Sequence, residues 1–340
     1  FPETVHAEKC LSHLNNPQIT PPQYTAQCNT CGNVTSFADD SSYSVGEKTP
    51  GELSKKLSQK FKTISNFLTE QRLKINDSKT HLLVMATQQR RRHNDLSAVS
   101  IITPNTTRIG RFSVSPVILS TKVEKMLGVQ ISQDLSFVPH LISQKDSTLA
   151  RLKKRLGALK QLRKVASFKT RLSVANAVFM SVLTYSMPVW AGAPGYVLAA
   201  LQGMQTEAAR VITGRNWLPG EGPRRVSTAE LLQQCGWMSV HQLGVYTSGV
   251  EVHKILQSKQ PRYLYEKLTA SSRMQVPHRT RQHFQFVDND LVERGKLQVP
   301  RARLEVTNTS WRWRAAGQYD KLPYTMKQLN VAKFKDQLKS

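Results

Sequence analysis

The chain has 340 residues, 39% of them hydrophobic, which is room for two or three domains and enough for a buried core, and excludes a chain disordered throughout. Its 48 Lys+Arg against 23 Asp+Glu give a formal charge of +25. A surplus of that size points to a polyanionic partner; nucleic acid is the commonest, with a ribosome or an anionic membrane surface as alternatives.

The chain starts with Phe1, which fits a processed product or an incomplete translation, and no secretory signal precedes the first predicted elements. Residues 1–36 are polar and hold Cys10, Cys28 and Cys31, three of the four cysteines. So few cysteines predict a reducing, intracellular compartment, nuclear or cytoplasmic. Residues 33–45 predict two short strands about a tight acidic turn at Asp39-Asp40. Thr49, Pro50 and Glu52 then mark a helix start. Leu53, Leu57, Phe61, Ile64 and Leu68 form its buried stripe, and the helix ends near Leu73. Ile75 to Ser78 predict a turn, His81 to Ala86 a strand, and 88–95 a charged loop. Strands follow at 97–102, 112–119 and 124–131, with Gly110, Pro116 and Gly128 at turns or bulges.

From about Pro139 the periodicity turns helical. Leu149, Leu152, Leu156, Leu159 and Leu162 make one apolar stripe. A second helix is predicted from about Ser167 to Tyr185, stopped by Pro188. Its region Val174 to Trp190 is the most apolar of the chain, but Asn176, Ser181, Thr184 and Pro188 interrupt it, and no apolar run approaches the ~20 residues of a membrane span. A third helix runs from about Tyr196 to Ile212, with Gly214 as its cap. Ser227 with Glu230, and Ser239 with Gln242, open further helices, and Cys235 between them is a small core residue. Residues 259–310 are basic and aperiodic, predicting loops, and 326–338 a short amphipathic helix.

Asp39 and Asp40 are the first candidates for chemistry. Adjacent carboxylates repel unless a cation or solvent compensates, so by themselves they fit either a metal-binding bend or an exposed acidic turn. The order of the motifs downstream of them is informative. Phe37-Ala38-Asp39-Asp40 resembles the [FY]-x-D-D hairpin of reverse transcriptases. Leu73 to Thr80 resembles that family's L-x-[LI]-N-x-x-K-T stretch, and Lys125-Met126-Leu127-Gly128-Val129 its K-[FY]-L-G-[VI] strand. Gln205 to Gly214 resembles the Q-x-x-A-x-R-x-[IV]-x-G helix end of retrotransposons without long terminal repeats. The tail from Trp311 through Leu322-Pro323 and Phe334-Lys335 to Leu338 is similar to their W-N-x-L-P…F-K-x-x-L ending.

The resemblance implies an α/β fragment in three parts. Residues 1–136 would be the C-terminal part of a palm, a remnant of antiparallel strands plus a helix; 137–215 a helical thumb; 216–340 a helical and loop extension. It implies RNA-directed DNA synthesis on an RNA template with a DNA primer and deoxynucleoside triphosphates. Asp39 and Asp40 would hold Mg²⁺, Lys79 would lie near the triphosphate, and Leu127 and Gly128 would shape the primer grip. The family also needs an earlier palm aspartate. Only 38 residues precede Asp39 and they do not resemble that strand, so the chain by itself is expected to be inactive.

Two further constellations stand beside these motifs. Cys10-x2-His13 and Cys28-x2-Cys31, fourteen residues apart, have the spacing of a tetrahedral zinc knuckle inserted over about 6–36, with His6 a rival ligand. The basic run Arg151, Lys153, Lys154, Arg155, Lys160, Arg163, Lys164, then Lys169 and Arg171, faces away from the leucines. No acid occurs from 147 to 206, so this face suits phosphate contacts better than a salt-bridged surface, though an ordinary solvated face has the same pattern. Arg90-Arg91-Arg92 fits a solvent loop, a phosphate contact or a nuclear-import signal; Trp311 and Trp313, alternating with Arg312 and Arg314, suit a core or docking role better than base stacking. The alternatives to a polymerase fragment are a non-catalytic nucleic-acid-binding remnant and a zinc-stabilised interaction module.

Overall fold

The computed structural model describes residues 27–28, 32–37, 40–73, 75–103, 107–109, 112–114, 117–215, 226–269, 297 and 310–339, with 27–41, 88, 107–114, 267 and 269 described by backbone alone. The described residues are mostly helical, with small sheets, and form two compact units, 1–136 and 137–340.

In the first unit β1 (Gln27–Cys28), β2 (Gly32–Phe37) and β3 (Asp40–Ser44) form an antiparallel meander. Helix α1 (Pro50–Glu70) starts where its cap predicts: Thr49 Oγ1 accepts from the Glu52 N–H at 3.3 Å and donates to Glu52 Oε2 at 2.9 Å. Leu57 of α1 is buried with Leu82, Val84, Val99 and Ile101. Those residues flank a mixed sheet. Strand β4 (Leu82–Leu83) runs parallel to β8 (Val117–Thr121), and β5 (Ser100–Ile102) antiparallel to it. The edge strand β5 is not left open. Ser54 and Ser58, one turn apart on α1, accept from the Ser100 and Ile102 N–H groups at 3.2 and 3.0 Å. Strands β6 (Thr107–Ile109) and β7 (Phe112–Val114) form a separate hairpin, as do β9 (Val123–Met126) and β10 (Val129–Ser132).

An expectation fails here. Residues 88–95 are not a loop: α2 (Gln88–His93) forms, capped by Thr87. Within 124–131 the turn expected at Gly128 forms: Leu127 (φ 46°) and Gly128 (φ 80°) make the two-residue turn of the β9–β10 hairpin. Positive φ at both central positions is what the right-handed strand twist requires of so short a turn.

In the second unit a widened π turn (Pro139–Ser143) leads to α3 (Thr148–Leu162), capped by Ser147. After a short turn come α4 (Phe168–Ala175), a π turn (Asn176–Met180) and α5 (Ser181–Thr184). Pro188 does not stop this helix. The chain breaks earlier, at Tyr185 and a left-handed Ser186 (φ 51°), and Pro188 sits in the first turn of α6 (Met187–Trp190), where its missing N–H costs nothing. Helix α7 (Gly195–Thr213) ends on a left-handed Gly214 (φ 74°), as its sequence predicts. Both predicted capping boxes form, at the starts of α8 (Thr228–Cys235) and α9 (Val240–Ser258). Helices α10 (Arg262–Thr269), α11 (Trp311–Asp320), α12 (Tyr324–Lys327) and α13 (Val331–Gln337) follow. The first two replace predicted loop or an unassigned stretch.

The boundary expected at 215/216 does not coincide with a break in packing. One core joins Leu152, Leu156 and Leu159 of α3 to Phe179, Leu183, Leu201, Leu231 and Leu243. A second core joins Val252 and Ile255 of α9 to Tyr319 and Phe334. Helix α9 belongs to both, so it is the spine of the unit. Cys235 is buried in the first core, and burial pushes its thiol up to about 11, so it stays protonated and inert.

Candidate functional site

The acidic bend lies between β2 and β3. Their register pairs Phe37 with Asp40, leaving residues 38 and 39 as the link. Asp39 itself lies outside the described residues, as does the side chain of Asp40. Cys10, His13 and Cys31 also lie outside them. Cys28 ends β1 with its backbone paired to Gly32, so Gly32 opens β2.

The stretch around Lys79 is a self-contained turn. Asn76 Oδ1 accepts from the Ser78 N–H at 3.1 Å and from its hydroxyl at 2.6 Å, while Thr80 Oγ1 donates to the Asn76 carbonyl at 2.9 Å. That network explains the Asn and Thr of the motif and holds exposed Lys79 at the end of the turn. Leu127 and Gly128 form a hairpin tip, with Lys125, Met126 and Leu127 exposed on it.

In the second unit α3 separates its faces by periodicity. Leu152, Leu156 and Leu159 are buried, whereas Lys153, Lys154, Lys160, Arg163 and Lys164 are exposed. Lys153 and Lys160, seven residues apart, share one line of the helix about 10 Å long. Among the described residues no ion pair engages Lys153, Lys154, Lys160 or Lys164. An uncompensated row of that kind is what phosphate contacts require. The structure brings Arg151 and Arg155 elsewhere. Both are half-buried, and Arg155 Nη1 donates to the Val178 carbonyl at 2.6 Å, while Arg151 Nη2 reaches Thr148 Oγ1 at 3.4 Å. Val178 lies in the π turn, where its carbonyl also accepts from the Ser181 hydroxyl at 3.3 Å, so Arg155 is engaged by the fold there.

The Gln205 to Gly214 motif is a packing seam. Gln205 is fully buried, donates to the Met238 carbonyl at 2.9 Å and accepts from Gln202 at 3.0 Å. Ala208, Ala209 and Ile212 are fully buried, and Gly214 ends the helix. At that end Arg163 Nη2 donates to the Gly214 carbonyl at 3.4 Å. An open cleft of about 550 Å³ lies beside it, lined by Lys160, Arg163, Lys164, Glu207, Arg210 and Val211. Sequence reading missed Arg210 here, because Arg210 is thirty-odd residues and two helices away from the basic run.

The Trp311–Arg314 stretch docks. Trp311 packs against the second core, and Arg314 donates to the Pro188 carbonyl at 2.8 Å and to Ser248 Oγ at 3.4 Å. Burial holds the Arg314 and Arg312 guanidinium pKa values below their usual range. Arg90 and Arg92 are exposed on α2 and Arg91 is half-buried. Among the described residues no helix is long and apolar enough to cross a membrane. Comparison of the chain with protein-family models, with characterised proteins and with solved structures finds no match.

Proposed function

We propose that the chain is the C-terminal part of a reverse transcriptase of the non-LTR retrotransposon kind, binding a template–primer duplex through α3. The observation that carries the duplex-binding half is the α3 face: exposed lysines over buried leucines, in a segment without one carboxylate from 147 to 206. The nucleotidyl-transfer half rests on the ordered sequence resemblance and is supported by the β2–β3 register, in which Phe37 pairs with Asp40. Asp39 and Asp40 would hold Mg²⁺, which when bound activates the primer hydroxyl and stabilises the leaving phosphate. The turn built by Asn76 and Thr80 would fix Lys79 for the triphosphate, and the Leu127-Gly128 tip would meet the primer backbone. Cys10, His13, Cys28 and Cys31 would hold a structural zinc before β2.

One observation favours a narrower reading, that this chain binds nucleic acid without catalysis. Asp39 is the first aspartate of the 340 residues, so the second metal-holding strand that the family requires is not among them. The two readings share the interface and differ in chemistry. The test is a labelled RNA–DNA primer–template duplex with Mg²⁺ and nucleotides. The proposal expects binding that weakens with salt and no extension of the primer by this chain. Absence of binding at low salt would refute the interface, and extension would refute the incomplete metal site.

A further inference from the structure

The turn between α3 and α4 exposes apolar side chains where the charge pattern alone calls for polar ones. Val165 is 86% exposed and Phe168 41%. Single exposed aliphatics are ordinary. These two lie on one ordered corner. The N–H of Lys164 donates to Gln161 O at 3.2 Å, and those of Val165 and Ala166 to Leu162 O at 3.2 and 3.0 Å. Ser167 then caps α4, its hydroxyl accepting from the Thr170 N–H at 3.3 Å. Arg171 Nη1 donates to the Arg163 carbonyl at 3.4 Å, and Arg163 Nη2 to that of Gly214, so the corner is tied to itself and to the end of α7.

The surroundings are cationic. Lys160, Arg163 and Lys164 precede the corner, and Lys169 and Arg171 follow it, the lysines and Arg163 exposed. The adjoining cleft adds Arg210 and one carboxylate, Glu207, which Arg210 pairs at 3.2 Å. Four cations to one acid line the cleft, and Lys164 and Lys169 flank the exposed valine in sequence, so the charge around the corner is complementary to phosphates.

We propose that Val165 and Phe168 form an apolar wedge that enters between neighbouring bases of a bound nucleic-acid duplex, while the surrounding lysines and arginines hold the flanking phosphates. This rests on the duplex-binding reading and deepens it. Backbone contacts alone need no apolar tip, whereas unstacking a base step needs a rigid apolar group with cations beside it. The ordered turn supplies the rigidity, and Lys160, Lys164 and Lys169 supply the charge.

The test uses the full chain and a duplex carrying a fluorescent adenine analogue whose emission rises on unstacking. Wild type is expected to raise the emission. The double variant Val165→Ser/Phe168→Ser, both sites being exposed, is expected to fold as wild type does, to lose the rise and to bind about ten-fold more weakly. Its salt slope should match that of wild type, because no cation is removed. Binding without any rise in wild type, or an equal rise in the variant, overturns the wedge and leaves the duplex-binding reading intact. Failure to bind duplex, with binding instead to vesicles of phosphatidylserine and phosphatidylcholine in equal parts, overturns both and makes the corner a membrane contact.

Discussion

Arg155 donates to the carbonyl of Val178 at 2.6 Å, linking the basic helix α3 to the π turn between α4 and α5. The same run of positive charge therefore has two jobs. Arg155 bonds a backbone carbonyl of the π turn, while Lys153 and Lys154 beside it face solvent.

The first prediction separates those jobs. Arg155→Met keeps the stem but removes the charged donor to Val178 O, leaving the Ser181 hydroxyl at 3.3 Å, and the loss of that charge-assisted bond costs about 1–3 kcal/mol. Lys153→Gln and Lys154→Gln break no hydrogen bond and should change stability by less than about 0.5 kcal/mol. Urea unfolding of the three variants checks the difference; equal stabilities would contradict the role given to Arg155.

His253 supplies a pH dependence. It is fully buried, with Nδ1 2.9 Å from the Tyr319 hydroxyl and Nε2 2.8 Å from the Leu329 carbonyl. Nε2 therefore carries the proton, and Nδ1 accepts from Tyr319. Its ring stacks on Phe334 at 3.9 Å. Burial lowers its pKa below 6.5, with the Leu329 hydrogen bond opposing, and burial with the Asp320 charge raises that of Tyr319. Because the folded pKa lies below the unfolded one, the unfolded chain takes up the proton first. The stabilisation from neutral His253 is then complete above about pH 6.5 and is lost as pH falls through the folded pKa. An NMR titration should place the His253 midpoint below 6.5; a midpoint at or above it would contradict the neutral, buried ring.

Gly244 marks a close approach of α9 to the end of α6. A Cβ there would lie 2.8 Å from Ala191 Cβ, which is fixed to its own backbone. Gly244→Ala gains up to about 1 kcal/mol of helix propensity and loses about 1–3 kcal/mol to overpacking. Net destabilisation is expected, read as a fall in the unfolding midpoint, whereas a rise would show that the helices can part at no cost.

What the sequence made legible was local. Thr49-Pro50, Ser227 with Glu230, Ser239 with Gln242, and Gly214 each act within a few residues of themselves, and each sits where its chemistry places it. The α3 leucine stripe is legible for the same reason. Helix α2 was missed because Gln88 to His93 has no apolar periodicity; in the structure Thr87 caps it. The turn at Gly128 was legible from its glycine, but the part of Leu127 in it was not, because leucine is a poor residue for positive φ. Pro188 misled because a proline is tolerated in a first helical turn. The parallel pairing of β4 with β8, the engagement of Arg155 by Val178 and the approach of Arg210 to Lys160 join residues distant in sequence, and no local pattern encodes them. Of the candidate site, the exposed face of α3, the turn holding Lys79 and the register of the acidic hairpin could be followed from sequence into structure.

The most direct measurement of the central claim is the salt dependence of duplex binding by wild type and by a variant with Lys153, Lys154, Lys160 and Lys164 all replaced by Gln. If each lysine neutralises one phosphate, the slope of log K against log salt flattens by roughly 3.6, at about 0.9 per contact. An unchanged slope would show that the cations of α3 face water rather than nucleic acid, and the proposed interface would be wrong.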